Sequence, residues 1–189
     1  MILETIVTTW DLNGVPHIAP MGIHTARDEA ITILPFRPSR TLDNLLATGQ
    51  AVINASDDVR VFAGCLTGRR DWPLVASTRL PGYRLRDALA HTEVELLRVE
   101  EDPVRPKLHC RVIHIATHAP FNGFNRAQNA VLEAAILVSR LERLPWHKIQ
   151  AELDYLKIAV EKTAGPRETE AWGWLMETLE QFKSNQGIS

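Results

Sequence analysis

Up to about residue 120 the chain runs in short stretches of alternating apolar and polar positions, broken by Gly, Pro, Asn and Asp. Beyond that point apolar residues return every three or four positions and β-branched residues thin out. The first part therefore predicts strands and the last third predicts helices. Ile2 to Trp10, rich in Ile, Val and Thr, predicts a strand. Asn13-Gly14 is a strong hairpin signal, because both residues tolerate positive φ, and it leads into a second strand from Val15 to about His24. A polar turn at Arg27-Asp28-Glu29 and a third strand, Ala30 to Phe36, complete an antiparallel meander. Ser39 is placed to cap a short helix with Leu42, Leu45 and Leu46 on one face, and Gly49 suits its end. Ala51 to Ala55 reads as a buried strand. Asp57-Asp58 can cap a helix carrying Val59, Phe62, Ala63 and Leu66, with Gly68 ending it.

Arg69 to Ala90, with Pro73, Pro81 and Gly82, reads as loop with room for a short helix. His91 to Val99 and Leu108 to Thr117 predict two long strands, connected through Glu100-Glu101-Asp102-Pro103 and Pro106. In the last third, Asn125 caps a helix with Val131, Ala134, Ala135, Val138 and Leu141 on one stripe. Ala127, Ala130, Ala134 and Ala135 permit close packing, or a docking face. Pro145 starts a second helix carrying Ile149, Leu153, Leu156, Ile158 and Val160. After Gly165-Pro166, Thr169 to Phe182 predicts a third, with Trp172, Leu175, Met176 and Leu179 inward and Ser184 to Ser189 frayed. Six mostly antiparallel strands with inserted helices favour a barrel over a sandwich. The expected fold is mainly β with α: a barrel over 1–120 and a helical subdomain over 121–189.

Composition narrows the function. The 189 residues are 45% hydrophobic and 23% charged, which suits a packed domain and excludes a disordered chain. A net charge of -2 argues against a nucleic-acid partner, which a basic excess would signal. Cys65 and Cys110 are too few for a disulfide scaffold and fit a reducing compartment. No signal-peptide pattern opens the chain and no apolar run reaches membrane length, so a cytoplasmic protein is expected.

Three polar stretches can carry chemistry. Arg37, Ser39, Arg40, Thr41 and Asn44 gather where a short helix starts, and guanidinium forks with helix N–H groups bind a phosphate monoester well. The same residues also suit a capped surface helix with solvated arginines. On the second strand, Ala19, Pro20, Met21, Gly22 and Ile23 hold two residues that weaken a ladder, as at an edge or bulge where a flat ligand approaches. Asn54, at a strand end, can meet the polar rim of a heterocycle or cap the next helix. No metal site is expected: His114 and His118 share a face of one strand and His109 takes the other. His17 and His24, at odd separation, face opposite ways unless a bulge intervenes. Trp172 and Trp174 read as packing.

These stretches together resemble the flavin mononucleotide (FMN)-binding split barrel, and more narrowly the family called domain of unknown function 447. The residues that carry the likeness are Asn13-Gly14, Ala19-Pro20-Met21-Gly22, Arg37 through Leu45, Ala51-Val52-Ile53-Asn54, and Glu133-Ala134-Ala135 with Ser139-Arg140. Their order and spacing carry it, with a gap at 69–90. The resemblance implies a homodimer of six-stranded barrels with FMN near the subunit interface. It would place the phosphate at Arg37, Ser39, Arg40, Thr41 and Asn44, the ring along Ala19 to Ile23, and Asn54 at its polar edge. An oxidoreductase acting on an unidentified small molecule is implied; a non-catalytic flavin carrier and a ligand-free dimeric interaction module stand as alternatives.

Overall fold

The computed structural model describes residues 1–25 and 30–187, so the turn expected at Arg27-Asp28-Glu29 lies outside the described residues. The chain divides into two units, residues 1–56 with 71–121, and residues 57–70 with 122–189. The expected division at 120 leaves out this exchange, because the helix at 57–70 packs with the C-terminal helices.

The first unit is a closed barrel of six strands: β1 (Ile2–Trp10), β2 (Pro16–Thr25), β3 (Ile31–Ile33), β4 (Gln50–Ala55), β7 (Ala90–Glu100) and β8 (Lys107–Thr117). The strand order is β1-β2-β3-β8-β7-β4 and every pairing is antiparallel. Six barrel strands were the expectation, although the third is only three residues long. Helix α1 (Arg40–Thr48) is capped by Ser39, whose Oγ accepts from Leu42 N–H, and ends on Gly49 at φ 70°. Leu42 and Leu45 enter the barrel core with Val7, Ile23, Ile33, Ala51, Ile53, Val94 and Leu108. Leu46, expected on the same face, is exposed.

Residues 69–90 are not a plain loop. They hold a two-stranded sheet, β5 (Leu74–Ala76) and β6 (Tyr83–Leu85), lying against the outer face of the barrel. Its tip packs Leu80 on Trp10, Val52 and Ile113. This explains why β1, β4 and β7 bury residues on both faces: the odd positions of β1 face the core and the even ones face the hairpin. Gly82 belongs to this contact, since a Cβ there would land inside the Trp10 ring. Gly82→Ala is therefore expected to destabilise the protein by about 1–3 kcal/mol, read by urea unfolding. A change within experimental error would remove the Trp10 contact as the reason for this glycine.

The second unit packs α2 (Val59–Leu66), α3 (Arg126–Val138), α4 (Trp146–Thr163) and α5 (Pro166–Gln186) around Ala63, Val131, Ala134, Ile149 and Leu175. Asp58 and Asn125 cap α2 and α3 as their side-chain chemistry predicts. Ala127, Ala130, Ala134 and Ala135 are all buried inside this unit, which removes them as a docking face. Ile158 departs from expectation by being exposed, and α5 extends through Ser184 to Gln186 instead of fraying there. Cys65 and Cys110 are buried, and burial pushes their thiols up to about 11 and about 12, so neither is a nucleophile at neutral pH.

Candidate functional site

Strand β2 pairs with the whole of β1, from Ile2↔His24 to Trp10↔Pro16, with no register shift. No bulge occurs at Pro20 or Gly22, so His17 and His24 do face opposite ways. On its other side β2 pairs with β3 only from Ile23 to Thr25. Pro16 to Gly22 is thus laddered on one side alone, which is where a Pro without an N–H can sit without loss. Ile33 pairs with Ile23, so the chain leaving β3 at Leu34 starts out beside Gly22. Three residues later it reaches Arg37 and the start of α1, and α1 itself packs on β1 and β2. The phosphate-type stretch and the Pro/Gly strand therefore share one edge of the barrel.

The side chains divide at this edge. Arg37 and Arg40 are exposed; Arg37 pairs with Glu101 at 3.0 Å and Arg40 approaches Asp11 at 4.0 Å. Exposed pairs of this kind are worth little and exchange readily for another anion. The N–H groups of Arg40 and Thr41, in the first turn of α1, have no partner within the helix. Segment 34–38 is held against the β7–β8 turn: Arg37 N–H donates to Val104 C=O, and Arg105 donates to Leu34 C=O while lying 4.5 Å over the Phe36 ring. Thr41 and Asn44 are buried, and Asn44 Nδ2 donates to Thr9 Oγ1 at 3.0 Å, behind the helix rather than in front of it. Met21 and Ile23 turn into the barrel core. Gly22 is crowded by Ile2 and Glu4 of β1, at 3.2 and 3.3 Å from a Cβ built there, so its neighbours already account for its size.

Asn54 does not reach this edge. It is fully buried on the outer barrel face, where its amide N donates to Ile6 C=O and Thr8 Oγ1, and its amide O accepts from Leu85 N–H at 2.8 Å. It ties β1, β4 and β6 together, so its amide is not turned to the rim of a heterocycle at the β2 edge, and the cap of α2 is Asp58 instead.

A second polar cluster escaped sequence reasoning. Glu93 is fully buried beneath the hairpin tip, and its carboxylate accepts from the backbone N–H groups of Thr78, Arg79 and Leu80 at 2.5 to 3.1 Å. Burial alone would raise this carboxyl, but the Leu80, Thr78 and Arg79 amides together with His91 outweigh it and hold it below the ordinary range. His91 Nε2 lies 3.1 Å from Glu93 Oε1 and His91 Nδ1 lies 2.8 Å from His118 Nε2. The His91 and His118 ring centres are 5.0 Å apart with planes 8° from parallel, as in two rings edge to edge in one plane, joined by an N–H···N bond. His114, opposite Glu93, sits 5.7 Å from His91. A register shift after Glu93 leaves Ile113 as an extra residue, so Ile113 and His114 both reach the outer face. His109 is elsewhere, with Thr32 and Glu100. The signal available beforehand was His-x-Glu on a strand that also had to be buried on both faces.

The six-stranded barrel with a helix closing the edge of a partly unladdered strand defines a split barrel of the kind found in FMN-binding proteins. Residues 3–119 match the family described as Protein of unknown function (DUF447), N-terminal domain, and residues 125–177 match its DUF447 C-terminal counterpart; the chain belongs to this family. Among solved structures it is similar to an FMN-bound DUF447 protein of Methanosarcina mazei, at 20% identity and a TM-score of 0.80, covering 94% of each chain. It is also similar to the 2-nitrobenzoate 2-nitroreductase of Pseudomonas fluorescens, at 19% identity and TM-score 0.53 over 61% of this chain and 64% of that one. An FMN-binding protein of Thermus thermophilus with bound p-hydroxybenzaldehyde matches at 15% identity and TM-score 0.54, over 65% and 75%. Among the described residues, no helix is long and apolar enough to cross a membrane.

Proposed function

We propose that this protein binds FMN and serves as a flavin-dependent oxidoreductase of a small molecule. The observation that carries the reading is the meeting of the α1 N-terminus with the one-sided segment of β2, on a barrel shared with an FMN-bound member of the family. The donor set suits a phosphate monoester: Arg37, Ser39, Arg40 and the free N–H groups of Arg40 and Thr41 all lie at one helix start. The ring lies along the backbone of Ala19 to Ile23. Thr41 and Asn44 support the helix from behind, and Asn54 holds the hairpin to the barrel instead of touching the ring.

Hydride and electron transfer are the flavin's own chemistry, and this chain supplies position and electrostatics. We read the active form as a cytoplasmic homodimer, which would cover large apolar side chains that a single chain exposes, among them Leu12, Val15, Phe36 and Leu97. Titrating the purified apoprotein with FMN is expected to give saturable quenching of flavin fluorescence; no change on titration would overturn the reading. A flavin carrier without turnover uses the same residues. Reduction of the bound flavin by nicotinamide cofactors, followed by a screen of electron acceptors, separates the two.

A further inference from the structure

We propose that His91, Glu93 and His114 form a binding site for a divalent transition-metal cation of the zinc class, on the outer face of the barrel under the β5–β6 hairpin. Their ligand atoms all lie within 4.8 Å of one another. Two imidazole nitrogens and one carboxylate oxygen are a donor set that zinc takes in three-ligand sites, leaving a fourth position for water or another ligand. This site is independent of the flavin edge, being built on β7 and β8 rather than on β2 and α1.

The carboxylate is positioned for it. Leu80 N–H donates to Oε2, Thr78 N–H to Oε1, and Arg79 N–H is shared between the two oxygens. One lone-pair direction on Oε1 is left for a further partner, and His91 Nε2 faces it at 3.1 Å. Two ligands of a tetrahedral cation with bonds of about 2.0–2.1 Å stand roughly 3.3 Å apart, so the observed spacing suits a shared metal as well as a proton.

The other imidazole nitrogens point the same way. A metal-bound histidine normally donates its remaining N–H to an outer partner that fixes its orientation, and His118 Nε2 occupies that place, in the ring plane, at 2.8 Å. Among the described residues no hydrogen bond engages the half-buried His114 ring, which leaves its nitrogens available. Loading requires that His91 and His118 each carry a proton on Nδ1, which leaves His91 Nε2 to bind the cation and His118 Nε2 to accept from His91. Trp10, Val52, Leu80 and Ile113 exclude water from the hairpin side, which strengthens charge–ligand attraction. The expectation of no metal considered histidines of a single strand, whereas here two ligands come from β7 and one from β8.

The test uses Co²⁺ as the probe, because its visible absorption is intense only in low-coordinate sites. Metal-stripped wild-type protein is titrated with Co²⁺ and then with Zn²⁺. We expect visible absorption that saturates at a single equivalent and is abolished by Zn²⁺. His114→Ala is expected to weaken Co²⁺ binding at least tenfold and His118→Ala to weaken it 10- to 100-fold, whereas His147→Ala, on the surface of α4, leaves it unchanged. Absence of the absorption, or its persistence in His114→Ala, overturns the proposal and leaves Glu93 and His91 as a hydrogen-bonded pair only. Should His114→Ala fail to fold, imidazole ¹⁵N shifts of the wild-type protein decide: the nitrogens of both His91 and His114 must move on Zn²⁺ addition, or the site is not there.

Discussion

Glu93→Ala is expected to cost about 3–5 kcal/mol of folding stability, the largest effect of any single polar substitution in the barrel unit. The fully buried carboxylate is the common acceptor for three consecutive backbone donors and one imidazole; the Leu80 and His91 bonds are buried and those from Thr78 and Arg79 partly so. Each buried donor left without a partner costs about 1–3 kcal/mol, and removing a buried charge strands those that faced it. Urea unfolding of wild type and variant reads the difference; a loss below about 1 kcal/mol would mean that the hairpin tip finds water or another acceptor. The pH dependence has a definite sign. The folded carboxyl titrates below its unfolded value of about 4.3, so its contribution is complete above that pH and declines as the pH falls through the lowered folded value. The stability gap between wild type and Glu93→Gln is therefore expected to shrink as the pH falls below about 4.3. A gap that stays constant to the acid limit would exclude the ionised carboxylate as the anchor.

The second large effect concerns the flavin edge. Arg40→Ala is expected to weaken FMN binding by about 1.5–3 kcal/mol, a rise in Kd of roughly ten- to a hundredfold, because a charge-assisted bond to the phosphate is lost. Riboflavin, which lacks the phosphate, should bind wild type and variant alike. Arg40 is exposed and only loosely associated with Asp11, so its removal leaves the barrel core intact. Unchanged FMN affinity, with wild-type binding established, would remove Arg40 from the phosphate contacts without touching the cofactor assignment. An equal loss for riboflavin would point to a displaced α1 instead.

Legibility followed locality. Ser39, Asp58 and Asn125 announce their helices because a cap acts over three residues, and Asn13-Gly14 announces its hairpin because a two-residue turn does. The β5–β6 hairpin was hidden because neither strand exceeds three residues and its register is held by distant side chains, Asn54, Glu93 and Trp10. At the candidate flavin site, the clustering of Arg37, Ser39 and Arg40 was readable from adjacency. Which of their neighbours face a ligand was not: Asn44 and Asn54 carry the right amides, yet both are spent on their own chain.

By itself the sequence determined the alternation that makes strands, the caps that start helices, and the volume of apolar residues that fills a barrel, since each of these acts between residues close along the chain. Only the tertiary structure decided which polar groups meet. Glu93 was brought to the 78–80 amides, and His91 to His118, by strand register and by one extra residue in β8, and pairings between residues so far apart in sequence leave no mark on local pattern. A buried carboxylate in the middle of a strand is unfavourable wherever its partners are missing, and it is the fold that supplies them.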